Sequence, residues 1–168
     1  RNRRITGTTP MAFSGPVKAS HPMLHSSITP SPIGTLNNCA MGYTPWNTYL
    51  ACEENWNGYF GTDDPTWTRT ALEARYGVSN VGFGYNWHVA EPRFDLAKNR
   101  NELNHFGWVV EFDPFDPKSV PVKRSALGRI KHEGATCTES KGRVVVYSGD
   151  DENGDYLYKF VGDRPWRQ

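Results

Sequence analysis

The sequence predicts an all-β, turn-rich fold, and three observations carry that reading. Glycine and proline, at 16 and 12 residues, make up about a sixth of the 168 residues, a share that suits many turns and few long helices. Aromatic side chains are plentiful, with 6 Trp, 8 Tyr and 8 Phe. Short alternating apolar runs recur between clusters of Gly, Pro, Asn and Asp, the pattern of strands joined by turns.

Taken in order, residues 1–35 read as an extended arm. They are rich in Pro, Ser, Thr and Gly, and Pro10, Pro16, Pro22, Pro30 and Pro32 oppose helix. Thr48 to Glu54 reads as a strand that ends in two carboxylates. One short helix is expected near 65–76, with Asp64 as N-cap, Pro65 in the first turn and Gly77 as the stop. Thr68, Leu72 and Tyr76 would share one face of it. Residues 78–104 look irregular. Phe106 to Asp113 reads as a strand closed by the turn Asp113-Pro114-Phe115-Asp116-Pro117, and Val120 to Arg124 as the next. Further strands are expected at Gly134–Thr138, Arg143–Ser148 and Tyr156–Val161, the last two separated by the turn-forming run Asp150-Asp151-Glu152-Asn153-Gly154-Asp155.

The strands form a repeat. Thr48–Glu54 followed by Gly107–Asp113 parallels Arg143–Asp151 followed by Asp155–Val161. In each copy an apolar strand ends in paired acids, Glu53-Glu54 and Asp150-Asp151, and an aromatic alternating strand follows. The paired acids are 97 residues apart, whereas Trp108 and Tyr156 are 48 apart. The first copy therefore holds an insertion that includes the helix. A four-strand rhythm with a unit of about 45 residues is the signature of a propeller blade. The chain then divides into the arm (1–35), a first blade with a helical insertion (36–125) and an incomplete second blade (126–168). Two blades and an arm are too little to close a ring, so the chain reads as a fragment of a longer propeller. The missing initiator Met agrees. The basic run Arg1-Asn2-Arg3-Arg4 precedes no apolar segment and is not a signal peptide.

Charge and hydropathy exclude other classes. With 19 basic and 18 acidic residues, net charge +1, nothing favours a nucleic acid polymer as partner. No apolar run reaches the ~18 residues of a membrane span. Cys39, Cys52 and Cys137 cannot all pair within one chain, which leaves a free thiol, a metal ligand or an intermolecular bond.

The chemistry-bearing residues are the paired acids and their neighbours. Glu53 and Glu54, followed by Asn55 and Asn57, and Asp150 and Asp151 supply the hard oxygens that calcium takes. A solvated acidic turn is the plainer alternative for each pair. The run beginning at Asp150 lacks EF-hand spacing and its closing Glu. Glu133 in Lys131-His132-Glu133-Gly134-Ala135 opens the second copy, and Cys39 in Asn37-Asn38-Cys39-Ala40-Met41-Gly42 opens the first. A thiolate there suits a softer metal such as iron or zinc, and a core thiol is the alternative. The five histidines make no metal signature, and no phosphate-binding loop, dinucleotide fingerprint or G-x-S-x-G elbow is present.

Longer strings carry a family resemblance. Asn38-Cys39-Ala40-x-Gly42-x-Thr44-Pro45-Trp46-x-Thr48-x-Leu50-x-Cys52-Glu53-Glu54-Asn55 is one. His105 to Glu111, with the Asp-Pro-Phe-Asp-Pro turn after it, is another. Lys123-Arg124-x-Ala126-Leu127-Gly128-Arg129-x-Lys131-His132-Glu133-Gly134-Ala135 is a third, and Gly149-Asp150-Asp151-Glu152 with Tyr156 to Val161 completes the set. From about Gly7 to its end the chain resembles the PhoX-type alkaline phosphatases. The resemblance implies an exported, hence periplasmic or extracellular, phosphomonoesterase built on a β-propeller. It implies Ca2+ and Fe3+ rather than zinc and magnesium, and a phosphomonoester or inorganic phosphate as the bound partner. Cys39 matches an iron ligand of the family, and Glu133 and Asp151 match other metal positions. At least one of Glu53 and Glu54 is expected on calcium, and Asp150 is the alternative to Asp151. Family members are several times longer, so the remaining ligands would come from the rest of the parent propeller. The competing function is a non-catalytic, calcium-stabilised propeller that binds or scaffolds.

Overall fold

The structure, a computed structural model, describes residues 3–167. Arg1 and Asn2 of the basic run lie outside them, as does Gln168.

The all-β expectation holds. Eight strands form two sheets. The first has five strands in the order β1 (Ala12–Ser14), β5 (Val122–Arg124), β4 (Val109–Phe112), β3 (Tyr49–Glu53), β2 (Asn38–Tyr43). The second is a three-stranded meander of β6 (Thr136–Ser140), β7 (Arg143–Gly149) and β8 (Leu157–Pro165). Strands β2 to β5 pair antiparallel in succession, as a propeller blade requires. The β3–β4 and β7–β8 pairs are the two halves of the sequence repeat, with Cys52 opposite Val109 and Val146 opposite Phe160. Alternation sends Leu50 and Cys52 to one face of β3. There they join Val109, Ala135 and Val146 in a core between the sheets, flanked by Leu127, Cys137, Val144 and Phe160. The sheets meet along β2 and β6, which lie side by side. Gly42 allows this approach, because a β-carbon there would collide with the carbonyl oxygen of Ala135.

The arm does more than lie on the surface. Its residues Ala12–Ser14 pair in parallel with β5 and become the fifth strand. Met11 and Leu24 are buried. Composition concealed this strand, because three residues are too few to show alternation.

The insertion between β3 and β4 carries a core of its own. Trp56, Phe60, Val78, Phe94, Leu96, Leu103 and Phe106 are buried together with Leu36, which precedes β2. Its helix is shorter than expected. The segment α1 covers Ala71–Arg75, and Thr70, not Asp64, is its N-cap. Thr70 and Glu73 form a reciprocal capping box that satisfies two free backbone N–H groups. The Asp64 carboxylate instead accepts the N–H and hydroxyl of Thr66 and closes a turn around Pro65. Thr68 lies outside the helix and Leu72 is exposed, so Tyr76 alone of the expected face meets the core. Gly77 does end the helix, at φ +65°. Residues 78–104 are irregular as expected, apart from the one-turn helix α2 (Trp87–Ala90) and two 3-10 turns.

Candidate metal centre

Each pair of acids divides its labour by strand alternation. At the end of β3, Glu53 points inward and is fully buried. Its Oε1 accepts the Lys123 ammonium at 2.7 Å, and its Oε2 accepts the Trp108 N–H at 3.0 Å. Lys123 is fully buried too. Burial pushes its pKa below the usual lysine range, and the Glu53 charge opposes that. Glu54, one residue on, faces the other way. The end of β7 repeats the arrangement. Asp150 has a fully buried side chain that accepts the Lys131 backbone N–H at 3.0 Å and the Arg75 guanidinium at 2.7 Å. Asp151, the next residue, is exposed to solvent.

Backbone bonds lay four segments side by side. Glu54 donates its N–H to the Asn37 carbonyl at 3.1 Å, and Ala40 donates to Glu133 at 2.8 Å. His132 donates to Glu53 at 2.9 Å, and Asp151 donates to Lys131 at 3.1 Å. The result brings one carboxylate oxygen each from Glu54, Glu133 and Asp151 within 4.8 Å of one another. Glu133 and Asp151 are exposed and Glu54 is half-buried. His132 beneath them is a support. Its Nε2 bonds the Gly128 carbonyl at 3.0 Å and its Nδ1 meets Ser148 Oγ at 2.6 Å. Burial lowers its pKa to about 4, so the ring is neutral near pH 7.

The electrostatics are those of crowded carboxylates. Desolvation, and behind it the Asp151 carboxylate, holds the Glu54 carboxyl above the usual range. Cys39 adjoins the cluster. Desolvation, and then the Glu54 and Glu133 charges, pushes its thiol up, which a metal ion would reverse. Three clustered acids and an accessible thiol give hard oxygen donors with one soft sulfur. Cys52 is buried, its pKa pushed up to about 12 chiefly by burial, and all three cysteines are free.

Of the sequence candidates, Glu54, Glu133 and Asp151 thus stand together, Cys39 lies beside Glu54 but outside that group of three, and Glu53 and Asp150 are engaged behind them. Sequence reasoning missed the cations that hold those two back, Lys123 and Arg75. Lys123 had a signal, an ionisable residue within a strand. Arg75 had none, being 75 residues from its partner.

An all-β chain that gathers three acids at its strand ends, with a thiol beside them, presents a candidate metal centre. Comparison gives its family. The family model described as "Alkaline phosphatase PhoX" matches residues 1–168, and the chain belongs to that family. The solved structure of Pseudomonas fluorescens PhoX in complex with vanadate, a transition state analogue, is 52% identical with a TM-score of 0.93. The match covers 97% of this chain and 29% of that one. Contactin-1 of Mus musculus is 28% identical over 111 residues, and that of Rattus norvegicus 27%, in each case over 60% of this chain and 11% of the contactin. So low an identity over so small a share leaves the assignment to the PhoX family unchanged.

Proposed function

We propose that this chain is the metal-holding portion of a secreted phosphomonoesterase whose remaining blades close a β-propeller around the centre. The observation that carries this reading is the 52% identity, over 97% of the chain, to a PhoX that binds vanadate as a transition state analogue. The open cluster of Glu54, Glu133 and Asp151 supports it.

The donors suit the two metals of the resemblance. Glu54, Glu133 and Asp151 offer oxygens to Ca2+, and Cys39 adds the thiolate that an Fe3+ site would use. Bound there, the cations would supply Lewis acidity and offset the charge of a phosphate ester. The chain's own residues provide the frame. Glu53 and Asp150, neutralised internally by Lys123 and Arg75, hold the strand ends rigid so that the next acid projects outward. Exposure of Glu133 and Asp151 leaves a face open to a phosphomonoester or inorganic phosphate. A periplasmic or extracellular location goes with such a substrate.

The test is expression of the full-length parent protein with iron and calcium, followed by assay on a chromogenic phosphate ester and metal analysis. Hydrolysis lost by more than about 100-fold in Cys39→Ala, with iron gone from the protein, is the expected result. An inactive wild type, or activity untouched by Cys39→Ala, refutes the enzyme. Calcium without iron in an inactive protein would favour the scaffold reading.

A further inference from the structure

We propose that the turn Arg75-Tyr76-Gly77, at the end of α1, is a brace that positions the carboxylates of the centre, with Arg75 its main positioning residue. This rests on the reading of Glu54, Glu133 and Asp151 as cation ligands. Three consecutive residues of the insertion each grip a different ligand-bearing segment.

Arg75 holds the segment of Asp151. Its Nη2 lies 2.7 Å from Asp150 Oδ2 and 2.8 Å from Asp155 Oδ2, so one guanidinium nitrogen straddles the turn containing Asp151. Tyr76 holds the segment of Glu133. Its hydroxyl donates to the Arg129 carbonyl at 3.1 Å. The Arg129 guanidinium lies 4.4 Å from the Tyr76 ring centre and 4.3 Å from that of Trp56, two residues beyond Glu54. Gly77 holds the segment of Glu54, because its carbonyl accepts the Asn57 amide at 3.0 Å. A larger residue at Gly77 would be strained and would push on the brace. Its φ is +65°, and a β-carbon would stand 3.0 Å from Asn57 Nδ2 and 3.3 Å from Lys131 Nζ. Lys131 in turn pairs with Glu152 at 2.5 Å, beside Asp151.

The physical need is clear. Three carboxylates within 4.8 Å repel one another. The segments bearing them come from sequence positions nearly a hundred residues apart, and the backbone bonds His132–Glu53 and Asp151–Lys131 together with the side-chain contacts behind them keep them together before a cation arrives. Ligands held in place bind more tightly than ligands that must be gathered, and partners behind a metal ligand typically matter 10- to 100-fold in affinity.

The experiment titrates calcium by calorimetry into the metal-stripped full-length protein. Arg75→Gln is expected to weaken binding about tenfold, and Arg75→Lys, which keeps a cation beside Asp150, to recover part of the loss. Arg100→Gln is the control. It breaks the pair that Arg100, from the 3-10 turn before β4, makes with Glu73 of α1, but touches no ligand-bearing segment. It should lower the melting temperature of the metal-free protein while leaving calcium affinity within about twofold of wild type. If Arg75→Gln does not fold, Tyr76→Phe removes a single hydroxyl from the brace and should weaken calcium about threefold. Wild-type affinity in Arg75→Gln or Tyr76→Phe, or an equal loss in Arg100→Gln, overturns the brace. A wild type that binds no calcium overturns the brace and the centre together. Failure of the phosphatase reading shows separately, as calcium binding without ester hydrolysis.

Discussion

At the scale of single residues, neighbouring acids have opposite environments. Glu53 is enclosed with Lys123, whereas Glu54 faces a cluster of like charge. Removing one partner of a buried pair leaves an uncompensated charge, a loss of roughly 3–5 kcal/mol. Lys123→Met should therefore destabilise the protein by that amount in urea denaturation. The double change Lys123→Met with Glu53→Leu should recover most of it. Glu54→Gln should behave in the opposite way. It removes repulsion, so the melting temperature of the metal-free protein should hold or rise, while calcium affinity measured by calorimetry falls at least tenfold. A melting temperature that drops on Glu54→Gln would show that Glu54 is structural.

At the scale of elements, α1 owes its existence to a capping box rather than to a long apolar face. It has five residues, and Leu72 on its outer side is exposed. Helices this short do not persist alone. Thr70→Ala should cost about 1 kcal/mol, read as a lower denaturation midpoint. Glu73 adds a pH dependence. Burial alone would raise its pKa, but Arg100 and the Thr70 N–H and hydroxyl together hold it below the ordinary glutamate value of 4.5. A depressed folded-state pKa stabilises the fold above the unfolded value, and that contribution fades as pH falls through the folded one. Thermal melts taken from pH 6 downward should show this loss below about pH 4.5, and Glu73→Gln should flatten it. An unchanged profile in Glu73→Gln would assign the acid sensitivity elsewhere.

At the scale of the whole molecule, two sheets and an insertion are held by two separate cores, one between the sheets and one formed by residues 56–106 with Leu36. Among the described residues β8 pairs only with β7, and Leu157, Tyr158 and Val161 on it are exposed. A nine-residue strand with one unpaired edge and three exposed apolar side chains is a template for another strand. The 168-residue chain by itself should therefore sediment as an assembly at micromolar concentration, and a stable monomer would contradict this. Substituting Lys at Val161 should shift the distribution toward monomer.

The sequence by itself determined six of the eight described strands, β3 to β8, but neither β1 nor β2, and it determined the residues among which a centre would be sought. These are local matters. Alternation, turn residues and acids at strand ends are each written within a few positions. Only the tertiary structure decided which acid of each pair faces outward, because that depends on where Lys123 and Arg75 arrive from elsewhere in the chain. It also decided that a segment of the arm becomes a strand, and that the helix starts at Ala71. Three-residue strands and single-turn helices have too little local free energy to announce themselves. They exist because partners beyond them add to local bonds, β5 for the strand and, for the capped helix, Arg100 on Glu73.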